Sequence, residues 1–364
     1  MEFICTKCGR KEAVTTRAAH CACGGLWRLA YEPPKFDLAE IDRNEWSLFR
    51  YRRFLALDDE SWRSVSMGEG MTPVVRLDDN VLLKMDYFMP TLSFKDRGAA
   101  TLIAHCKSIG VQQVVQDSSG NAGNAVAAYC ARSGIGCEIF VPEGMSPKKI
   151  DMIRAHGAVC TVVPGTRDHC ADVCREKVER EGVYYANHVY NPFFYEGTKT
   201  YIYEVFEQLG RIPANLVIPV GNGTLFLGAM YALEHLFNSG VIDRFPQIIA
   251  LQSQNCDPLL RAAEHGKTEP EAVMPAPTIA EGISIGKPMR GGEILRLAKK
   301  HGVRFVHAPE DKILEARAAL ARKGVYCEHT TAANYAAYLE YRRLNGPIPD
   351  TLLTICGAGL KSDH

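Results

Sequence analysis

One grammar recurs along this chain and limits what it can fold into. An apolar, β-branched run ends in a loop of Gly, Ser and Asn, and a segment rich in Ala, Leu and charged residues follows. Clear instances are VQQVVQDSSGNAGNAVAAYCARSG from Val111, CEIFVPEGMSPKKIDMIRAHG from Cys137 and NLVIPVGNGTLFLGAMYALEHLF from Asn215. Strands alternating with helices predict right-handed crossovers and an α/β fold, its mainly parallel sheets covered by helices on both faces. At 364 residues the chain has room for two domains, because single cores stop growing near about 250–300 residues. Ligands of such sheets sit beyond the carboxyl ends of the strands, which singles out the loops around Lys95, 117–124, 220–228 and 352–362.

Charge narrows the partners. The 42 basic and 42 acidic side chains are interspersed, with no like-charge run to suit a nucleic acid, so a small molecule is the expected partner. Residues 216–233 carry no charge, but a Pro, glycines and an Asn interrupt them, which predicts a buried strand, loop and helix and no membrane contact. The opening MEFICTKCGR has neither an apolar signal core nor a transit-peptide composition, so a cytoplasmic location is expected.

In that setting the 13 cysteines are expected as thiols or metal ligands. Cys5, Cys8, Cys21 and Cys23 form C-x2-C and C-x-C pairs, with Gly24 and Gly25 supplying the turn of a knuckle. Soft ligands in two close pairs suit a closed, structural zinc site over residues 1–30; the alternatives are a ribbon without metal, or ordinary buried thiols. The stretch NEWSLFRYRRFLALDDESW that comes next reads as helix and connecting loop.

The loops differ in the chemistry they offer. In GNGTLFLG, Gly221 and Gly223 admit a close backbone approach, Thr224 offers a hydroxyl, and the helix start presents free N–H groups. That suits a phosphate, or else a tight turn; it is neither a Walker A loop nor a dinucleotide fingerprint. DSSGNAGN offers Ser118, Ser119, Gly120 and Asn121 at another helix start, which fits a carboxylate or an N-cap cluster. Lys95 lies in MPTLSFKDRG, where the strand-like VLLKMDYF hands over to the helix-like AATLIAHCKSIG. A helix N-terminus, Arg97 nearby and apolar Phe94 all disfavour its ammonium form and ready the amine for a carbonyl, although a surface pair with Asp96 is the plainer alternative. A phosphate cradle, a carboxylate cradle and an activated lysine together suggest pyridoxal 5′-phosphate and an amino-acid substrate.

These stretches, with MGEGMTP at 67–73, YEGTKT, AEGISIG and CGAGLKS, resemble in order and kind the motifs of threonine synthases, within the fold-type-II pyridoxal 5′-phosphate enzymes. The likeness covers about residues 66–362, and the cysteine ribbon resembles one found in many threonine-synthase-like chains. It implies that Lys95 bonds the cofactor and later shuttles the Cα proton, with Phe94 beside it and Asn121 on the ring oxygen. It implies that Ser118, Ser119, Gly120, Asn121 and Ala122 hold the substrate carboxylate. Gly221, Asn222, Gly223, Thr224 and Leu225 would take the cofactor phosphate, and Glu281 and Gly282 of the EGIS loop would line the ring face. It further implies a larger domain from 31–85 and 196–364, a smaller mobile one from 86–195, and a homodimer.

Four positions depart from the family's pattern. Cys356 replaces a Thr whose hydroxyl meets the pyridine nitrogen, as in some resembling serine and threonine dehydratases. Phe194 replaces an Arg that helps bind the substrate's phosphate, and a ring cannot replace a bidentate guanidinium. Lys148, Lys149 and Lys361 are candidate substitutes, but a changed side-chain pocket is the simpler expectation. Leu92 stands where Gly is usual and is expected to narrow the loop beside the lysine; His329 stands for Pro and is expected to cap or pack, and His188 is expected to have no role. The resemblance therefore implies elimination or replacement at Cβ or Cγ, foremost threonine synthesis from O-phosphohomoserine. The alternatives are β-elimination or β-replacement on a serine-, phosphoserine- or threonine-like substrate, and a non-catalytic binding relative.

Overall fold

The computed structural model describes residues 1–361 except Asp58 and Ser119. Strands β1 (Glu2–Cys5), β2 (Lys11–Ala13) and β3 (Trp27–Ala30) form a small antiparallel sheet in the order β2-β1-β3. The aromatic stretch beyond it forms 3-10 turns at Leu48–Phe54 and Ser61–Ser64 in place of the expected helix. An antiparallel pair, β4 (Val74–Arg76) and β5 (Val81–Lys84), leads to α1 (Lys95–Ser108). Alternation then runs through β6 (Gln113–Gln116), α2 (Asn121–Ser133), β7 (Gly136–Pro142), α3 (Pro147–Ala155), β8 (Val159–Val163), α4 (Arg167–Glu181) and β9 (Tyr184–Tyr185). These strands make one parallel sheet, ordered β8-β7-β6-β9.

The chain continues through α5 (Phe193–Leu209), β10 (Asn215–Pro219), α6 (Thr224–Asn238), β11 (Gln247–Ser253) and α7 (Pro258–Glu264). It ends with α8 (Gly291–His301), β12 (Arg304–Ala308), α9 (Ile313–Ala321), α10 (His329–Asn345) and β13 (Thr351–Thr354). The resulting sheet is ordered β12-β11-β10-β13-β5-β4 and is parallel except at β4. Its central strands are apolar on both faces because helices cover both. Leu216 and Ile218 of β10 pack into one core with α1, α5 and α6, while Val217 between them packs into another with Ala332, Ala333 and Ala336 of α10. Each such fully buried aliphatic side chain contributes about 1.5–3 kcal/mol relative to exposure.

The uncharged stretch at 216–233 is divided between β10 and α6, and among the described residues no helix is long and apolar enough to cross a membrane. Helix ends follow local chemistry. Thr166 caps α4 by accepting from the His169 amide, and Gly182 closes the same helix in the left-handed conformation at φ 64°.

Candidate active site

A cavity of about 330 Å³ opens where loops from both parallel sheets meet. Phe94 and Lys95 enter it from β5, Ser118, Gly120, Asn121, Ala122 and Asn124 from β6, Arg167 from β8 and Gly221 to Leu225 from β10. These loops all leave the carboxyl ends of parallel strands, where the dipoles of the helices that follow converge.

Lys95 is the first residue of α1, and its Nζ donates to Thr224 Oγ1 at 3.1 Å, above the Phe94 ring at 4.5 Å. Burial pulls its ammonium down from 10.5 to about 8, against the opposing pull of Cys356 and Glu328, and Arg167 adds a like charge. Arg97 is not the source of that repulsion. Its guanidinium is fully buried and neutralised by Asp86 at 2.8 Å and Glu204 at 2.6 Å. Nor does Asp96 hold Lys95, since its carboxylate accepts from the Thr91 amide and hydroxyl.

The β10 loop is shaped for close approach. A Cβ on Gly221 would come within 3.1 Å of the Gly282 carbonyl, and Gly223 has φ +75° with Ile294 2.4 Å from a Cβ position. Gly223 is also the N-cap of α6 and offers no side-chain cap, so the first amides of that helix are available to an anion. Helix α2 opens the same way, with Gly120 as an N-cap that has no side chain to offer, which removes the N-cap-cluster alternative for this loop. Gly123 lets the Ser118 carbonyl approach, since a Cβ there would lie 1.7 Å from that oxygen. Two uncapped helix starts and a lysine of lowered basicity share one cavity, a donor set that fits a phosphate-bearing aldehyde and a carboxylate.

Ser118, Gly120, Asn121, Ala122, Asn222, Glu281 and Gly282 line the cavity, whereas Ser119 lies outside the described residues. Cys356 is fully buried behind the Lys95 turn and is not among the lining residues; its thiol donates to the Thr354 carbonyl at 3.7 Å, and burial raises its pKa well above 9.0. Leu92 does not narrow the site. It has φ 61° and an exposed side chain.

Several lining residues escaped the sequence reading. Glu328 accepts from Asn121 Nδ2 at 2.9 Å, and its own backbone amide donates to the Gly357 carbonyl at 2.9 Å. His188 is 7% exposed, lines the cavity and leaves its buried Nδ1 without a partner among the described residues. Arg167 lines it too, and His329, expected to cap or pack, is the first residue of α10 on the same wall. No motif spacing marks these residues, because turns far apart in the chain bring them together. Phe194 is fully buried, packed on Gly98 and edge-on to His188 at 5.8 Å.

Comparison with known proteins agrees with this geometry. Residues 65–357 match the family described as "Pyridoxal-phosphate dependent enzyme". The chain belongs to that family. It is 30% identical over 347 residues to the threonine synthase of Methanocaldococcus jannaschii, covering 91% of this chain and 85% of that one. The threonine synthase of Halalkalibacterium halodurans is 30% identical over 332 residues, covering 87% and 90%. Among solved structures, the T.th. threonine deaminase superposes with a TM-score of 0.69 at 26% identity, covering 82% and 96%. Maize serine racemase shares the fold, with a TM-score of 0.69 at 19% identity over 84% and 94%.

The cysteines of the β1–β3 segment converge as well. All four sulfurs lie within 4.8 Å of one another, with Cys5 and Cys23 3.5 Å apart and Cys8 and Cys21 3.7 Å apart. The edge of a ZnS4 tetrahedron with bonds near 2.3 Å is about 3.8 Å. The Lys7 and Cys8 amides point at Cys5 Sγ, and Gly25 leaves no room for a Cβ beside that sulfur.

Proposed function

We propose that the protein is a threonine-synthase-like lyase that converts O-phosphohomoserine and water to threonine and phosphate. The observation that carries this reading is the pairing of Lys95 with Thr224 at the mouth of an uncapped helix, in a chain about 30% identical to threonine synthases over most of its length. Gly221 to Leu225 and the first amides of α6 would hold the cofactor phosphate, and Asn121 would meet the ring oxygen. Cys356 would serve the ring nitrogen as a neutral thiol. Pyridoxal 5′-phosphate supplies an aldehyde carbon and a ring that stabilises negative charge at the substrate's Cα. Lys95 Nζ, with its lowered basicity, takes the proton from Cα and returns it later in the reaction. The amides and hydroxyls from Ser118 to Ala122 would hold the substrate carboxylate, and Glu281 and Gly282, which line the cavity, would flank the ring face.

The division into a larger unit, 31–85 with 196–364, and a smaller mobile one, 86–195, is supported by the two sheets, since β6 to β9 all fall in the second range. The Lys149–Glu281 pair at 2.9 Å spans the two across the cavity mouth. A structural zinc on Cys5, Cys8, Cys21 and Cys23 is supported by the sulfur separations, and elemental analysis of protein never exposed to chelator tests it at one zinc per chain. The family likeness also supports a homodimer acting in the cytoplasm.

A second reading, β-elimination or β-replacement, draws on Phe194 and Cys356. Incubation with O-phospho-L-homoserine, with phosphate assay and mass spectrometry of the product, separates the two. Threonine matching phosphate one to one supports the first; no turnover beside turnover of β-substituted substrates supports the second.

A further inference from the structure

The guanidinium missing at position 194 leaves a question about what holds an anionic side chain, and the lysines proposed as substitutes are either engaged or off the cavity wall. Lys148 is exposed and absent from the cavity wall, Lys149 pairs with Glu281 at 2.9 Å, and Lys361 donates to the Thr91 carbonyl at 2.9 Å. Arg167 is different. It is the first residue of α4, lines the cavity and has no acceptor for its guanidinium among the described residues. It lines the same cavity as Lys95 and His188, and its charge bears on both.

His188 is the independent observation. Its ring is buried against Phe194, and its Nδ1 has no partner among the described residues, although a buried polar atom left bare costs about 1–3 kcal/mol. Burial first, then the Lys95 and Arg167 charges, hold the imidazole neutral, so one nitrogen donates and the other accepts. A permanent cation and a neutral donor lining one cavity match an oxyanion, for which a guanidinium offers two parallel N–H groups.

We infer that Arg167, with His188 donating beside it, forms the subsite for a phosphate monoester on the substrate's side chain, taking over the task of the absent arginine at 194. The inference rests on the reading that the leaving group is phosphate. When the C–O bond breaks, its electron pair leaves with phosphate, and the guanidinium and imidazole N–H receive the charge without a proton transfer.

The test uses the cofactor-loaded enzyme and follows its visible absorbance during titration with O-phospho-L-homoserine, O-phospho-L-serine and unphosphorylated L-homoserine. Wild-type protein is expected to bind a phosphorylated ligand at least 30-fold tighter than homoserine, and the better of the two phosphorylated chains identifies the substrate length. Arg167→Met should reduce that ratio at least tenfold, with Arg167→Lys recovering part of it, and His188→Ala should reduce it by a smaller factor. Arg167 is exposed, so its variants are expected to fold. A wild-type ratio near one overturns the phosphate reading and this inference together. A large wild-type ratio that survives in Arg167→Met overturns the inference alone.

Discussion

An ammonium that loses its water without gaining a carboxylate gives up its proton more readily, and Lys95 is in that position with only a hydroxyl for a partner. Its amine should therefore be half unprotonated near pH 8, where an ordinary lysine needs about 10.4. Stripped enzyme mixed with pyridoxal 5′-phosphate at a series of pH values should load at a rate rising with a midpoint near 8; a midpoint near 10 would show that burial does not tune this amine. Asn121 depends on its setting in the same way. Its Nδ2 has one hydrogen on Glu328, which fixes the amide plane and leaves the other hydrogen for the cofactor. Glu328→Ala should weaken cofactor binding about tenfold, or about 1.4 kcal/mol, with Glu328→Gln between the two, measured by equilibrium titration.

Helices α1 and α6 carry Lys95 and Thr224 into the site, α5 packs against both, and their spacing is set by glycines. A Cβ on Gly197 of α5 would stand 1.8 Å from the Arg97 carbonyl of α1, and one on Gly228 of α6 would stand 2.1 Å from Thr198 Oγ1. The first clash is with backbone and cannot be relieved by a rotamer. Gly197→Ala should thus cost about 3 kcal/mol in urea unfolding and disturb the Lys95 turn, while Gly110→Ala, at an open left-handed position, should cost less. This contrast explains what the sequence allowed to be read. The strand-loop-helix grammar and the loops bearing Lys95, Asn121 and Thr224 follow from local rules of periodicity and helix starts, so they were visible. YEGTKT was visible only as a resemblance, because the reason for Gly197 lies on another helix. Arg97 was misread as a neighbour of Lys95 because sequence proximity says nothing of Asp86 and Glu204, which enclose it. Arg167, His188 and Glu328 are joined only by the tertiary fold.

Across the whole molecule, the cysteine ribbon is fastened to the catalytic body by groups that tolerate little change. Arg290, buried, donates to the Trp27 carbonyl of the ribbon at 2.7 Å and to the Val189 carbonyl beside His188 at 2.7 Å, so the ribbon and the cavity wall share one guanidinium. Nearby, Phe3 of the ribbon meets Phe193 of α5, whose ring stacks on His105 of α1 at 3.6 Å. Burial drives His105 from 6.5 down to about 3, against the Val14 backbone and Asp59, and its Nε2 has no partner among the described residues. The unfolded chain therefore takes up the proton first. The stability that neutral His105 contributes is complete above about pH 6.5 and is lost as the pH falls toward 3. At pH 5 the loss from this one group is about 2 kcal/mol. Replacing His105 with Phe keeps the stack and removes the titration, so urea unfolding followed by tryptophan fluorescence should show the variant losing about 2 kcal/mol less than wild type between pH 7 and pH 5. Equal losses in the two proteins would mean that the ribbon interface is not where acid acts, because no other group differs between them.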